Sequence, residues 1–250
     1  MTAASPETDV WKARNARLLG DAVALVEAAR RAGVEARILG GLGILHHDEG
    51  LRERHGSRAI ADIDLMVPAG RHRAIADVLV AGGYAAEERF NALNGHRRMV
   101  FKAAEWDLDV LVGEFEMCHR IDMSSRFELD YPTLPVTDLL VTKLQIVKLN
   151  AKDAGDIADL IAGHEVRSGD GDWIDTDRLD HLTRGDWGLW RTATGTLRSV
   201  LALDVDAIVV ERVRELLDVL EASPKSTKWR LRARVGDRVP WYVLPDEVHQ

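Results

Sequence analysis

The sequence predicts an α+β protein in which a mixed sheet flanked by helices is followed by a helical domain and a short C-terminal strand. Three observations lead there. The N-terminal half orders its elements as helix, strand, helix, strand, helix and then three strands, which is not the helix-after-every-strand order of a doubly wound fold. From Leu134 to Glu221 apolar residues recur at helical spacing. Between Lys228 and Val235 apolar and basic residues alternate strictly, the pattern of a strand.

Each element has its own signal. From Trp11 to Arg31 the residues Leu18, Val23, Leu25, Val26 and Ala29 define a helix that Gly33 stops. Ala36 to Leu39 is a short apolar strand ending at Gly40 and Gly41, and Leu42 to His47 starts a helix. Ile60 to Val67 alternates as a strand closed by Pro68 and Gly70. A helix over Arg71 to Val80 stops at Gly82 and Gly83, and Glu87–Asn91, Arg97–Lys102 and Trp106–Val112 are three further strands.

In the second half, Thr137 is a candidate cap for a helix running to about Asn150, and Asp153–Ala162 is a helix ended by Gly163. Asp175–Leu182, Trp187–Leu201 and Val205–Glu221 carry three more. The chain of 250 residues then divides into a disordered lead-in (1–10), a core sheet domain (11–125), a helical domain (126–222) and a basic C-terminal segment (223–250).

Composition narrows the function. With 33 Lys and Arg against 41 Asp and Glu the formal net charge is −8, which argues against a surface built throughout to neutralise a phosphate backbone. The single cysteine, Cys118, has no intramolecular disulfide partner, no apolar run reaches the roughly 20 residues that span a bilayer, and the polar start carries no export signal. A cytoplasmic protein without membrane contact is the expectation.

The chemistry concentrates in Gly40-Gly41, Asp62-Ile63-Asp64 and Asp109. Strand alternation puts Asp62 and Asp64 on one face, and Asp109 stands among Leu108, Val110 and Leu111 as if on a neighbouring strand. Converging carboxylates repel unless cations sit between them, and hard oxygen donors favour Mg²⁺ or Mn²⁺. Glycines between a strand and a helix let a triphosphate approach backbone N–H groups.

This pattern of apolar strand, Gly-Gly, Asp-x-Asp and a later strand acid resembles the nucleotidyltransferase fold of the DNA polymerase β superfamily. Gly40-Gly41-Leu42-Gly43-Ile44 and Arg58-Ala59-Ile60-Ala61-Asp62-Ile63-Asp64-Leu65 are similar to the aminoglycoside and lincosamide nucleotidyltransferases and to abortive-infection type toxins, in which an arginine commonly precedes the acidic pair. The 20 positions between the glycines and Asp62 exceed the spacing of the minimal members. Leu139 to Leu160 is similar to the helical segment after the core, where a lysine reaches the nucleotide phosphates.

The resemblance implies two-metal transfer of an NMP group from an NTP to a hydroxyl, with release of pyrophosphate. It makes Asp62, Asp64 and Asp109 the catalytic and metal-holding residues, and Gly40, Gly41, Arg58 and Lys143 the nucleotide-binding ones, with Lys148 and Lys152 as weaker candidates. The hydroxyl acceptor is left open among a small molecule such as an antibiotic, a tRNA and a protein. The basic face with Arg230, Arg232 and Arg234 is a candidate RNA contact, or an edge strand that its charge protects from aggregation.

Three blander readings stand beside these. Asp107 competes with Asp109 as the third acid. His46 and His47 follow the glycine turn, and Glu116, Cys118 and His119 superficially suggest a metal site but lack the ligand set of structural zinc. Trp173, Trp187 and Trp190 suit a helical core, with stacking on a ring as the functional alternative. At the level of function, a non-catalytic nucleotide-binding module of the same fold is the rival, and a metal-dependent phosphohydrolase ranks behind it.

Overall fold

The computed structural model describes residues 6–47 and 59–244, with side chains from residue 10 onward. The chain divides into two compact units, one of residues 1–114 and 122–135, the other of residues 115–121 and 136–250.

The first unit is a mixed α+β structure. Helix α1 (Pro6–Arg31) begins inside the stretch expected as a disordered lead-in, of which residues 1–5 lie outside the described residues. Strand β1 (Arg37–Leu39) passes directly into α2 (Gly40–His47). Next come β2 (Asp62–Val67), α3 (His72–Ala81), β3 (Ala85–Ala86), α4 (Glu88–Asn94), β4 (Arg98–Lys102) and β5 (Asp107–Val112). The sheet order is β1-β2-β5-β4-β3, with β2 and β5 parallel and the other pairs antiparallel.

Alternation decides what each face of this sheet does. Ile63, Leu65 and Val67 of β2, Met99 and Phe101 of β4, and Leu108, Val110 and Val112 of β5 turn to one side and form one core with Leu18, Ala22, Leu25 and Val26 of α1 and Ile75 and Leu79 of α3. The other side of the same strands therefore carries Asp62, Asp64, Asp107, Asp109, Arg98 and Lys102.

The strand expected over Glu87–Asn91 is instead the short β3 followed by α4. Asn91 explains the replacement: its amide donates to Val100 O at 2.9 Å and accepts from Val100 N at 2.7 Å. One side chain thus satisfies the edge of β4 where a longer partner strand would have paired. Residues 127–133 are tied to β1, with Arg37 donating to the carbonyls of Phe127 and Asp130 and Ile38 N donating to Pro132 O at 2.9 Å.

A short hairpin of β6 (Glu114–Glu116) and β7 (Arg120–Asp122) carries residues 115–121, which group with the second unit. That unit is otherwise mainly helical: α5 (Val136–Leu144), α6 (Ala151–Gly163), α7 (Thr176–Thr183), α8 (Trp187–Leu201), α9 (Ala207–Ala222) and α10 (Thr227–Val235), with a two-stranded parallel pair β8 (Val166–Arg167) and β9 (Ile174–Asp175). Four of its helix starts are capped by side chains: Asn150 accepts from Asp153 N, Asp175 from Asp177 N, Asp186 from Leu189 N and Ser226 from Trp229 N.

Two expectations are corrected here. Thr137 caps nothing; it lies inside α5, where its hydroxyl donates to Trp173 O and accepts from Asp175 N, anchoring the loop before α7. The expected C-terminal strand over 228–235 is the helix α10. Lys, Arg, Leu and Ala are strong helix formers, Ser226 supplies the cap, and Gly236 at φ +59° supplies the stop, so local preferences outweigh the alternation. Among the described residues no helix is long and apolar enough to cross a membrane.

Candidate active site

The site is built on the sheet face opposite the core of the first unit. Parallel pairing sets Asp62 beside Asp107 and Asp64 beside Asp109. A carboxylate oxygen from each of Asp62, Asp64 and Asp109 lies within 4.8 Å of the others, and all three residues are half-buried. The approach to β2 is held from α1: Ile60 N donates to Asn15 Oδ1 at 3.0 Å, and Arg14 donates to Ile60 O. Both backbone groups of the residue two before Asp62 are thereby fixed.

Gly40 stands against the acidic pair. It has φ +64°, and a Cβ there would overlap Asp64 Oδ2 and come within 2.9 Å of the carboxyl carbon. Only glycine combines that left-handed backbone with that close approach. At Gly41 a Cβ would make ordinary contact, at 3.6 Å, with Ile60.

A cation on the neighbouring strand pairs with one of the three acids. Arg98, on β4, donates from Nε to Asp109 Oδ1 and from Nη2 to Oδ2, both at 3.0 Å, a bidentate clasp. These hydrogen bonds raise the Arg98 pKa above its ordinary value against the cost of burial, and attraction to Asp109, Asp64 and Asp62 adds to them. Arg98 opposes Leu111, two residues along β5 from Asp109, so it reaches its partner diagonally across the pair. The sequence reading missed it. Its place two residues before Val100 and four before Lys102 was visible, but the register that brings it to Asp109 was not.

Asp107 differs from Asp109. It directly opposes Lys102 and pairs with that residue's ammonium at the exposed end of the strands. It is Asp109 that shares the cluster with Asp62 and Asp64.

Arg58 falls in 48–58, outside the described residues. Lys143 belongs to the helical unit, where its Nζ is 2.7 Å from Asp153 and 2.8 Å from Asp156 in a buried three-residue cluster. Burial opposes its charge, yet Asp156 and Asp153 outweigh that cost and hold its pKa above the ordinary lysine value. His47 turns to residues 130–134, its Nε2 being 2.7 Å from Thr133 Oγ1 and 3.1 Å from Leu134 O. Glu116 pairs with Arg120, Cys118 is buried and His119 meets Thr192 Oγ1 at 2.8 Å, so these three face separate partners.

No protein-family model matches this sequence, and no curated protein matches it significantly. The functional reading therefore rests on the motif and on the site's geometry.

Proposed function

We propose that the chain is a metal-dependent nucleotidyltransferase of the DNA polymerase β superfamily, moving an NMP group from an NTP to a hydroxyl of a small molecule, a tRNA or a protein. One observation carries the reading: Asp62, Asp64 and Asp109 converge from two parallel strands while the backbone of Gly40 lies against Asp64.

The donor set fits a hard divalent cation, being all carboxylate oxygen. Asp62 and Asp64 would hold Mg²⁺ or Mn²⁺, with Asp109 completing the set. The bound metal supplies charge neutralisation at the phosphates and a lowered pKa for the attacking hydroxyl. In the transfer the acceptor oxygen bonds to the α-phosphorus as the bond to the bridging oxygen of pyrophosphate breaks. Asp109 would accept the hydroxyl proton, with Arg98, which donates to both its oxygens, orienting the carboxylate. Gly40 gives the Asp64 carboxylate the space that a Cβ would take. Lys143 has no part in this reading, since its ammonium already serves Asp153 and Asp156.

The clasp of Arg98 on both oxygens of Asp109 favours a second reading, a nucleotide-binding module without turnover. A labelling assay separates the two. Each α-labelled NTP is offered with Mg²⁺ or Mn²⁺ to tRNA, total protein and a panel of small hydroxyl acceptors, with Asp64→Ala as control. Label that the substitution abolishes supports transfer and names the acceptor. Metal-dependent NTP binding with no pyrophosphate release sinks transfer in favour of the module.

A further inference from the structure

The geometry points to a second binding site, in the helical unit, for a nucleotide unit: one planar base with its phosphate. A pocket of about 350 Å³ is lined there by Trp187, Trp229, Trp241, Asp186, Lys228 and Arg232. This inference is independent of the carboxylate cluster and stands whether or not that cluster transfers anything.

The helical conformation of α10 creates the site. In a strand, Lys228, Arg230, Arg232 and Arg234 would share one face, whereas in α10 positions four apart share a side. Lys228 and Arg232 therefore fall together at the pocket, and Arg230 and Arg234 fall together on another side of the helix. The pocket's far wall comes from the chain after α10. Trp241 Nε1 donates to Thr192 Oγ1 at 3.1 Å, and Val243 N donates to Cys118 O at 3.1 Å. Gly188 permits this closure, because a Cβ there would stand 2.8 Å from the carbonyl oxygen of Trp241.

The lining selects an aromatic anion. Arg232 is a fixed part of the wall: its guanidinium lies 4.6 Å from the Trp187 ring centroid and donates to the carbonyls of Gly236 and Val239. A cationic ligand would have to compete with Arg232 for that indole. Lys228 is exposed, and its ammonium has no hydrogen-bond or ion-pair partner among the described residues, so it can meet a phosphate. Asp186, the pocket's acid, already accepts from Leu189 N as a helix cap. Trp187 and Trp241 meet edge to face at 5.8 Å, and the indole N–H of Trp229 is buried without an acceptor among the described residues. Indoles offer stacking to any base, and the volume sits at the small end of ligand sites, where a single nucleotide fits.

A free mononucleotide and the end of an RNA strand share this chemistry, so both are tested. The protein used is the full chain carrying Asp64→Ala, in EDTA, which leaves the carboxylate cluster unable to take up a metal-bound nucleotide. It is titrated with a nucleoside 5′-monophosphate and with a short single-stranded RNA, and the indole N–H resonances of its seven tryptophans are followed by NMR. The expected result is movement of the Trp187, Trp229 and Trp241 signals while Trp11 and Trp106 stay still. Lys228→Glu should weaken that binding about tenfold or more, with its far-UV circular dichroism and thermal midpoint unchanged.

Equal affinity for both ligands identifies free nucleotide as the occupant, and tighter RNA binding identifies a strand end. Either supports the site. Still pocket indoles with both ligands, binding indifferent to Lys228→Glu, or a nucleoside that binds as tightly as its monophosphate would each overturn it. None of these results bears on transfer, which is measured with metal and intact Asp64.

Discussion

Both units bury charge, but they balance it in opposite ways. In the helical unit Asp138 meets Arg178 at 2.9 Å, and Lys143 is shared by Asp153 and Asp156, so both of these cations have a carboxylate in contact. On the sheet face of the first unit three carboxylates converge, and the Arg98 guanidinium beside them is committed to Asp109. Removing one partner of a buried pair strands the other in a medium that solvates it poorly, so paired charges are structural. Crowded charges of one sign raise the energy of the folded protein, so on the proposed function a cation held by Asp62, Asp64 and Asp109 would relieve the sheet face. Lys143 shows why the distinction matters: the resemblance implies a phosphate contact, and in the structure its ammonium is paired with Asp153 and Asp156.

The comparison can be broken most directly at Asp64. Asp64→Ala should reduce nucleotidyl transfer at least about a thousandfold, near 4 kcal/mol of lost transition-state stabilisation, and leave the thermal midpoint unchanged or raised as repulsion is relieved. A variant that unfolds instead would make the carboxylates structural and erase the contrast. Lys143→Met should do the reverse, costing about 3 kcal/mol in chemical denaturation because two buried carboxylates lose their cation.

The same lysine sharpens the comparison by pH. Its folded pKa is raised, so its contribution is full below the unfolded value of 10.5 and disappears as pH climbs through the folded value above that. An alkaline fall in stability that Lys143→Met lacks is the expected signature in denaturation curves taken between neutral and strongly alkaline pH.

Gly40→Ala should cost roughly 1–2 kcal/mol for the left-handed backbone, and more through displacement of Asp64, with the loss of transfer exceeding what the loss of stability explains. Transfer unchanged in that variant would separate the glycine from the site.

The smallest effect concerns His119. Burial lowers its pKa below 6.5, with Asp186 acting in the opposite direction, so the unfolded chain takes up a proton first as pH falls. The stabilisation tied to neutral His119 is present above pH 6.5 and is lost as pH drops from there through the folded pKa. Thermal midpoints between pH 7 and 5 should show a decline that His119→Gln reduces.

Much of the local order was legible. The helix over Trp187–Leu201 has the bounds that its apolar spacing indicated, and the strands holding Asp64 and Asp109 lie within a residue or two of where alternation put them. The misreadings share one cause. Between Lys228 and Val235 and again over Glu87–Asn91, short segments satisfy the pattern of a strand as well as that of a helix, and a cap at Ser226 or an amide at Asn91 decides. Those residues were visible, but their weight against periodicity depends on contacts further along the chain.

By itself the sequence determined that Asp62 and Asp64 share a face, because side chains along a strand alternate with period two, and that glycine interrupts the chain after β1. Only the tertiary structure decided which acid joins them. Asp107 and Asp109 alternate identically, and the register of β5, with Lys102 opposite the first and Arg98 diagonal to the second, separates their roles. It likewise decided that Lys143 is spent on Asp153 and Asp156, ten and thirteen residues away across a turn. Local conformation follows from sterics within a few residues, whereas the pairing of charges follows from how separate elements, even neighbours in the sequence, pack and register against one another.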